Sequence, residues 1–424
     1  MDVVKFELRK IFLSPIVWVL MVGVICLSHV IIVSNTHERA QLRILTDMVA
    51  TYGTEINEES LAGWRRLHII ELEAINEITE IRMGQSFLSV ETLQIFAAEN
   101  EMSLWDVFIE MDEWQQFMRV SLIEDYLFQA EGADAHYRAI DLNNFGEDLI
   151  AGIGASGALA EIIRSNFSAH QETRFPTLVE NGEHLHFFFN GHFNQMHYFL
   201  FLTVLVPLTL GITIIVALVS AFLFGYEFDH KTSLLAYSTV RGRKLQIVKF
   251  KAASIATVII TSSLLLIVLG IFFLIYDYSG LWQVPIASLF TSTSMSFFVP
   301  RYSLTFGQYL ITVCGLIMVA QFLFVTLIFC LFKLSKNSYL TVIYFIAIAV
   351  SGMMAFRFFP LHSRLFYLSG FNPFYMLSDL SASFMIWGVS QTFLHFEIVT
   401  IGTWTITLSG LSIVCFQRFK KIDL

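Results

Sequence analysis

Six stretches of this sequence stay apolar long enough to cross the ~30 Å hydrocarbon core of a bilayer, which takes roughly 20 helical residues at 1.5 Å each. They lie near residues 12 to 34, 198 to 224, 252 to 276, 306 to 332, 338 to 356 and 396 to 416. No soluble core hides that much apolar surface: 55% of the side chains are hydrophobic, 14% are charged, and 42 are Phe. The sequence therefore predicts an all-α polytopic membrane protein of about six transmembrane helices. Lys5, Arg9 and Lys10 precede the first stretch as they would a secretory signal. Its apolar core is too long for one and no small-x-small cleavage site follows, so residues 1–34 are expected to form an entry helix and a retained anchor.

Charge orients the spans. All ten lysines fall in four places: Lys5 and Lys10; Lys231 to Lys251; Lys333 and Lys336; Lys420 and Lys421. With six spans these four places share one side, which the retention of basic residues makes the cytoplasm. Both termini are then cytoplasmic in the cell membrane. Residues 35–195 are of another kind, with 27 Asp and Glu against nine Arg and no Lys, a net of −18. Apolar residues recur there at helical spacing, as in Leu61, Trp64, Leu67, Ile70 and Ile78, and again in Trp105, Phe108, Ile109, Trp114, Phe117 and Leu122. That segment is expected to be a large, mostly helical extracytoplasmic insert between the first two spans. The expected bundle follows in residues 196–424. Within it, the outer segments 277–305 and 357–395 are too apolar to be solvated loops, with Trp282, Phe290, Phe297 and Phe298 in the first and Phe371, Phe374, Phe384 and Trp387 in the second. Short interfacial or re-entrant helices are expected in both.

Chemistry-bearing constellations are sparse. Cys26, Cys314, Cys330 and Cys415 all sit in apolar runs, which gives neither a disulfide framework nor a thiolate metal site. His184, His186, His192 and His197 crowd the approach to the second span; they suit an interfacial anchor beside Phe187, Phe188, Phe189 and Tyr198 better than a metal site. Gly152, Gly154 and Gly157 spell G-x-G-x-x-G without the βαβ context a dinucleotide needs, so a loop or a close-packed helical turn is expected. Formal charge within the apolar runs is limited to Arg357 and Glu397, each close enough to a span end to snorkel outward. A proton-coupled carrier would need ionisable groups at midplane. No cofactor, metal or nucleic-acid partner is expected.

The most informative stretch runs from Gly225 to Lys251. Asp229 is a candidate N-cap and Gly242 a candidate C′ residue, bracketing a short helix over 229–242 whose Leu234, Leu235 and Tyr237 offer apolar contacts, with a basic flank that includes Arg243. An ordinary basic cytoplasmic loop fits the same residues. Here the chain resembles the permease subunits of bacterial ABC-2 type exporters: Glu227, Thr232, Leu234, Leu235, Ser238, Arg241 and Lys249 follow the family pattern in order. Lys231 stands where a Gly usually precedes the Thr. The opening Lys5 to Pro15 is similar to the family's amphipathic entry helix, and Asn372-Pro373-Phe374 to the turn before its last span. The resemblance implies that the short cytoplasmic helix docks on a separate ATP-hydrolysing subunit, and that a second permease copy or a related permease completes the pathway. The chain itself holds no G-x-x-x-x-G-K-[ST] phosphate loop. Three classes stay open: an export permease for a hydrophobic or amphipathic peptide, lipid or drug; a receptor, sensor or bacteriocin-immunity protein whose acidic ectodomain binds a ligand; and an intramembrane enzyme, for which no catalytic constellation is legible.

Overall fold

The computed structural model describes residues 2–35, 38–186, 194–237, 242–287 and 299–421. The chain begins with α1 (Asp2–Phe12) and turns at Ser14 into α2 (Pro15–Ser34), where Pro15 occupies a first-turn position that needs no backbone donor. Between α2 and the next apolar helix come α3 (Glu38–Tyr52), α4 (Glu58–Met83), α5 (Val90–Glu99), α6 (Leu104–Val107), α7 (Met111–Ala139), α8 (Leu142–Ile153), α9 (Gly157–Glu172) and α10 (Arg174–Glu180). Local signals set their ends. Asn57 and Ser60 cap α4 reciprocally, Ser89 and Thr92 cap α5 the same way, and Gly84 closes α4 at φ 74°.

Helices α4 and α7 form an antiparallel hairpin laced by Arg65–Glu131, His68–Glu124, Arg119–Glu71 and Arg82–Glu113 pairs. Beneath these pairs Leu72, Ile75, Phe87, Leu93, Phe108, Phe117 and Val120 make an apolar core separate from the main one. The Glu124 carboxylate also accepts from the Val90 and Glu91 N–H groups at 2.8 and 3.0 Å, which satisfies the first turn of α5. Helices α8 and α9 make a second hairpin. Its turn contains Gly154 at φ 69° and Gly157 at φ 55°, so the G-x-G-x-x-G string is a helix–helix corner.

The apolar part of the chain follows as α11 (Asn194–Tyr198), a π-helical turn Phe199–Val204 and α12 (Leu205–Asp229), which run on as one rod. After α13 (Ser233–Tyr237) come α14 (Gly242–Ile275), β1 (Val299–Pro300), α15 (Phe306–Ser335), α16 (Ser338–Met353), α17 (Arg364–Ser369), α18 (Pro373–Met376), β2 (Met385–Ile386) and α19 (Phe396–Lys421). Strands β1 and β2 pair antiparallel in a two-residue ribbon. Among the described residues five helical stretches are long and apolar enough to cross a membrane: Pro15–Ser34, Met196–Asp229, Leu245–Ile275, Phe306–Ser335 and Phe396–Gln417. Helix α16 is shorter, at 16 residues.

Even so, α16 joins the two ends of the bundle. At its start the Ser338 hydroxyl donates to the Asp229 carboxylate, and at its finish the Gly352 carbonyl accepts from Asn372 at 3.1 Å. Gly225 permits the first approach, because a Cβ there would lie 1.9 Å from Ser338 Oγ. Lys10, Glu227, Lys249, Lys333 and Cys415 thus gather at one end, the lysine pole.

The opposite end is capped by the helices that follow α2. The Tyr137 hydroxyl donates to the Ala287 carbonyl at 2.9 Å, Arg174 Nε to Pro300 at 3.0 Å, and the Ser156 N–H to Leu361 at 3.1 Å. Ala287, Pro300 and Leu361 thus have their carbonyls satisfied by α7, by α10 and by the turn before α9. The second segment and its approach contain short helices, α17, α18 and two 3₁₀ turns, Ala355–Phe358 and Ser390–Thr392. Phe290, Phe297 and Phe298 lie outside the described residues.

Candidate functional site

The predicted coupling region lies at the lysine pole. Glu227, near the end of α12, is buried, and its carboxylate accepts from Lys249 Nζ of α14, a lysine with no exposed side-chain surface. The same Nζ donates to the Leu223 carbonyl at 2.6 Å. Lys10 of α1 approaches Glu227 at 3.6 Å, bonds buried Glu7 at 3.0 Å and stands 4.2 Å over the Tyr226 ring. Two carboxylates and two ammonium groups so form a balanced cluster that joins α1, α12 and α14. Charges this deep persist only when paired.

The chain then leaves α12 through a tight turn. Lys231 sits at φ 56°, the left-handed conformation a glycine adopts most readily. The Thr232 N–H closes the turn on the Glu227 carbonyl at 2.8 Å. Helix α13 follows with Leu234 and Leu235 65% and 79% exposed. The helix starts at Ser233, later than the 229 expected, and residues 238–241 lie outside the described residues. Asp229 remains in α12, its carboxylate turned to Ser338 rather than to a cap, and Gly242 opens α14 instead of closing the helix before it. Ser238 and Arg241 lie outside the described residues, as does the side chain of Arg243, whose backbone is in the first turn of α14. The structure thus brings Glu227, Thr232 and Lys249 together and places Leu234 and Leu235 beside them on the surface.

Sequence reasoning missed a second charged site, at the capped pole. Glu397 does not snorkel outward. It is 2% exposed and accepts from Arg301 Nη2 at 2.6 Å and from the Phe384 N–H at 2.8 Å. Arg301 also donates to the Phe393 and Leu394 carbonyls at 2.7 and 3.0 Å, so the buried guanidinium has one carboxylate and two backbone acceptors. Phe384 is held at φ 60° between these groups, its carbonyl accepting from the Arg301 N–H at 2.8 Å. The available signal was Arg301 itself, a lone basic residue in an apolar outer segment.

Nearby, Arg174 grips Glu183 with two donors at 3.0 and 2.5 Å, and the Ser303 hydroxyl donates to the same carboxylate at 2.5 Å. Burial works against ionisation there, but Arg174 and Ser303 outweigh it and hold Glu183 below the usual carboxylate range. His170 is buried, its Nε2 donating to the Thr392 carbonyl at 2.8 Å, and burial pushes its pKa down. His184 faces Asp134 at 3.1 Å and stacks near Tyr137; burial lowers its pKa as well.

His197 points instead into the bundle, donating to the Ser381 carbonyl at 2.9 Å. The histidine run is therefore divided among separate structural contacts, with His192 outside the described residues. Among the described residues no group of three or more His, Cys, Asp or Glu is arranged to hold a metal.

The fold defines a class, a multi-pass helical membrane protein with a lysine pole and a capped pole. Comparison with known proteins narrows it no further: no family model, no curated protein and no solved structure matches the chain.

Proposed function

We propose that this chain is the membrane-spanning permease subunit of an ABC exporter, driven by a separate ATPase and moving a hydrophobic or amphipathic peptide, lipid or drug. The observation that carries the reading is the pairing of two features at the lysine pole. A short helix presents Leu234 and Leu235 to solvent, and it is tied through one turn to a buried charge cluster that joins three helices. Force applied to α13 has a stiff route into the spans, and exposed leucines are what a partner groove would bury. The chemistry is one of positioning, and catalysis belongs to the partner. Glu227, Thr232, Leu234, Leu235, Ser238, Arg241, Arg243 and Lys249 are the residues assigned to coupling.

In this reading six helices cross the bilayer, the lysine pole and both termini face the cytoplasm, and residues 35–195 lie outside. Helix α16 reaches only about 24 Å at 1.5 Å per residue, a mismatch that local thinning and its flanking turns accommodate. A second permease copy, or a related subunit, completes the pathway. Reporters fused after residues near 34, 280 and 370 should read outside, and those after 240, 335 and 424 inside. A cytoplasmic signal from the 35–195 segment overturns the topology, and a purified protein active in transport without any ATPase overturns the function.

A further inference from the structure

We propose that the far end of the α4–α7 hairpin docks a cationic amphipathic peptide, with Trp105, Ile109, Met111 and Trp114 taking its apolar face and the carboxylates around them its basic one. The surface belongs to the insert alone and goes beyond the permease reading, which stands or falls separately.

The run Trp105-Asp-Val-Phe-Ile-Glu-Met-Asp112 divides two ways. Val107 and Phe108 are buried in the hairpin's own apolar core, and Leu104 packs against it. Trp105, Ile109 and Met111 are left 59%, 69% and 65% exposed. They gather about one place. Trp105 stacks on Trp114 with ring centroids 3.7 Å apart and planes 15° apart, and Met111 lies one turn before Trp114 on α7. The display is held in advance: Arg82 donates to the Val107 carbonyl and, at 2.6 and 2.7 Å, to both oxygens of Glu113, which pins α6 to the end of α4 and the start of α7. Tyr137, where α7 meets the capped pole, lies roughly 39 Å further along the helix than Met111.

Charge selects the occupant. Residues 77–115 hold nine Asp and Glu against Arg82 alone, a net of −8, with no Lys or His. Arg82 is already engaged by Glu113. Asp106 and Asp112, next to Trp105 and Met111 in sequence, are exposed and have no ion-pair partner among the described residues. A second copy of the chain would set this acidic surface against its like, and an anionic bilayer would be repelled in the same way. A basic peptide reverses both effects. Its Lys and Arg pair with the rim carboxylates or sit over the indole rings, and its apolar side chains cover a patch that water otherwise wets. Exposed Trp is also the residue type that most often anchors such an interface.

Binding to the full chain in phosphatidylcholine nanodiscs, with empty nanodiscs subtracted, tests the proposal. The probes are a synthetic amphipathic helix of Leu and Lys and its Leu–Glu counterpart. Wild type should bind the Leu–Lys peptide in clear preference, and more weakly as salt is raised. Trp105→Ser with Ile109→Ser should weaken that binding about thirtyfold. Asp106→Asn with Asp112→Asn should weaken it about tenfold and flatten its salt dependence. Phe128→Ser, a well-exposed aromatic further along α7, and Asp148→Asn, an exposed carboxylate on α8, should bind as wild type does. A photoreactive Leu–Lys peptide supplies a second measurement that needs no variant to fold, and it should crosslink to the unmodified protein within 101–118. Equal binding of the two peptides, wild-type binding in both double variants, equal losses in the Phe128 and Asp148 variants, or crosslinks confined to other segments overturns the proposal. So does self-association, or capture of phosphatidylglycerol vesicles, that the Trp105/Ile109 double variant abolishes.

Discussion

Lys249 donates simultaneously to the Glu227 carboxylate and to the Leu223 carbonyl, so a single ammonium ties the last turns of α12 to the first turns of α14. Replacing Glu227 with Gln leaves a fully buried lysine without its counter-charge, a change that costs about 3 kcal/mol or more. The expected outcome is a lower melting temperature together with ATP hydrolysis that no longer follows substrate. Pairing the change with Lys249→Met should recover stability without recovering coupling. Wild-type coupling in Glu227→Gln, measured as substrate-stimulated turnover, would remove the cluster from the transmission route.

Leu234 and Leu235 offer the converse test, since both are exposed. Changing both to Ala should leave the stability within about 0.5 kcal/mol of wild type. Each methylene lost from a buried interface is worth ~0.8 kcal/mol, so association with the ATPase should weaken by one to a few orders of magnitude. Copurification at the wild-type level reduces the stretch to an ordinary basic loop. A single rim charge such as Arg243 should matter less.

At the capped pole, Glu397→Gln removes the charge that neutralises Arg301 and weakens the acceptor for the Phe384 N–H. A destabilisation of about 3 kcal/mol is expected. Limited proteolysis should show it as faster cleavage within 355–395, with the lysine pole unaffected. A uniformly unstable protein would mean that the two poles do not melt separately.

Acid should loosen the same cap. Burial sets the pKa values of His170 and His184 below the ordinary 6.5, so the unfolded chain takes up protons before the folded one does. Their contribution is complete above about pH 6.5 and is lost as pH falls through that value towards the folded pKa. Glu183, held low by Arg174 and Ser303 against its burial, adds a second loss below about 4.5. Melting by intrinsic fluorescence at pH 7.5, 6.0 and 5.0 should report falling stability, and His170→Gln should flatten the first part of that fall.

Legibility in the sequence followed the range of the forces involved. Lysine placement is a single-residue signal repeated at every crossing, and it foretold that Lys10, Lys249 and Lys333 would share one end. The start of α13 depended instead on competition for Asp229, which a distant Ser338 wins from the local cap. Arg301 and Glu397 are 96 residues apart, so neither could be read as the other's partner. The ribbon of β1 and β2 and the Phe384 turn bring them together.

The π-helical turn at Phe199–Val204 has a consequence for chain length. Its backbone closes rings one residue wider than an α-helix does, as in the Leu205 N–H bonded to the Leu200 carbonyl. Deleting one residue from 199–204 would let the rod run α-helical throughout, with Gly225 still opposite Ser338 and His197 still near Ser381. The same deletion between 205 and 224 would turn those two ends about 100° relative to each other and force one contact to break. The rod therefore has a segment where it can lose a residue and keep its aim at both poles.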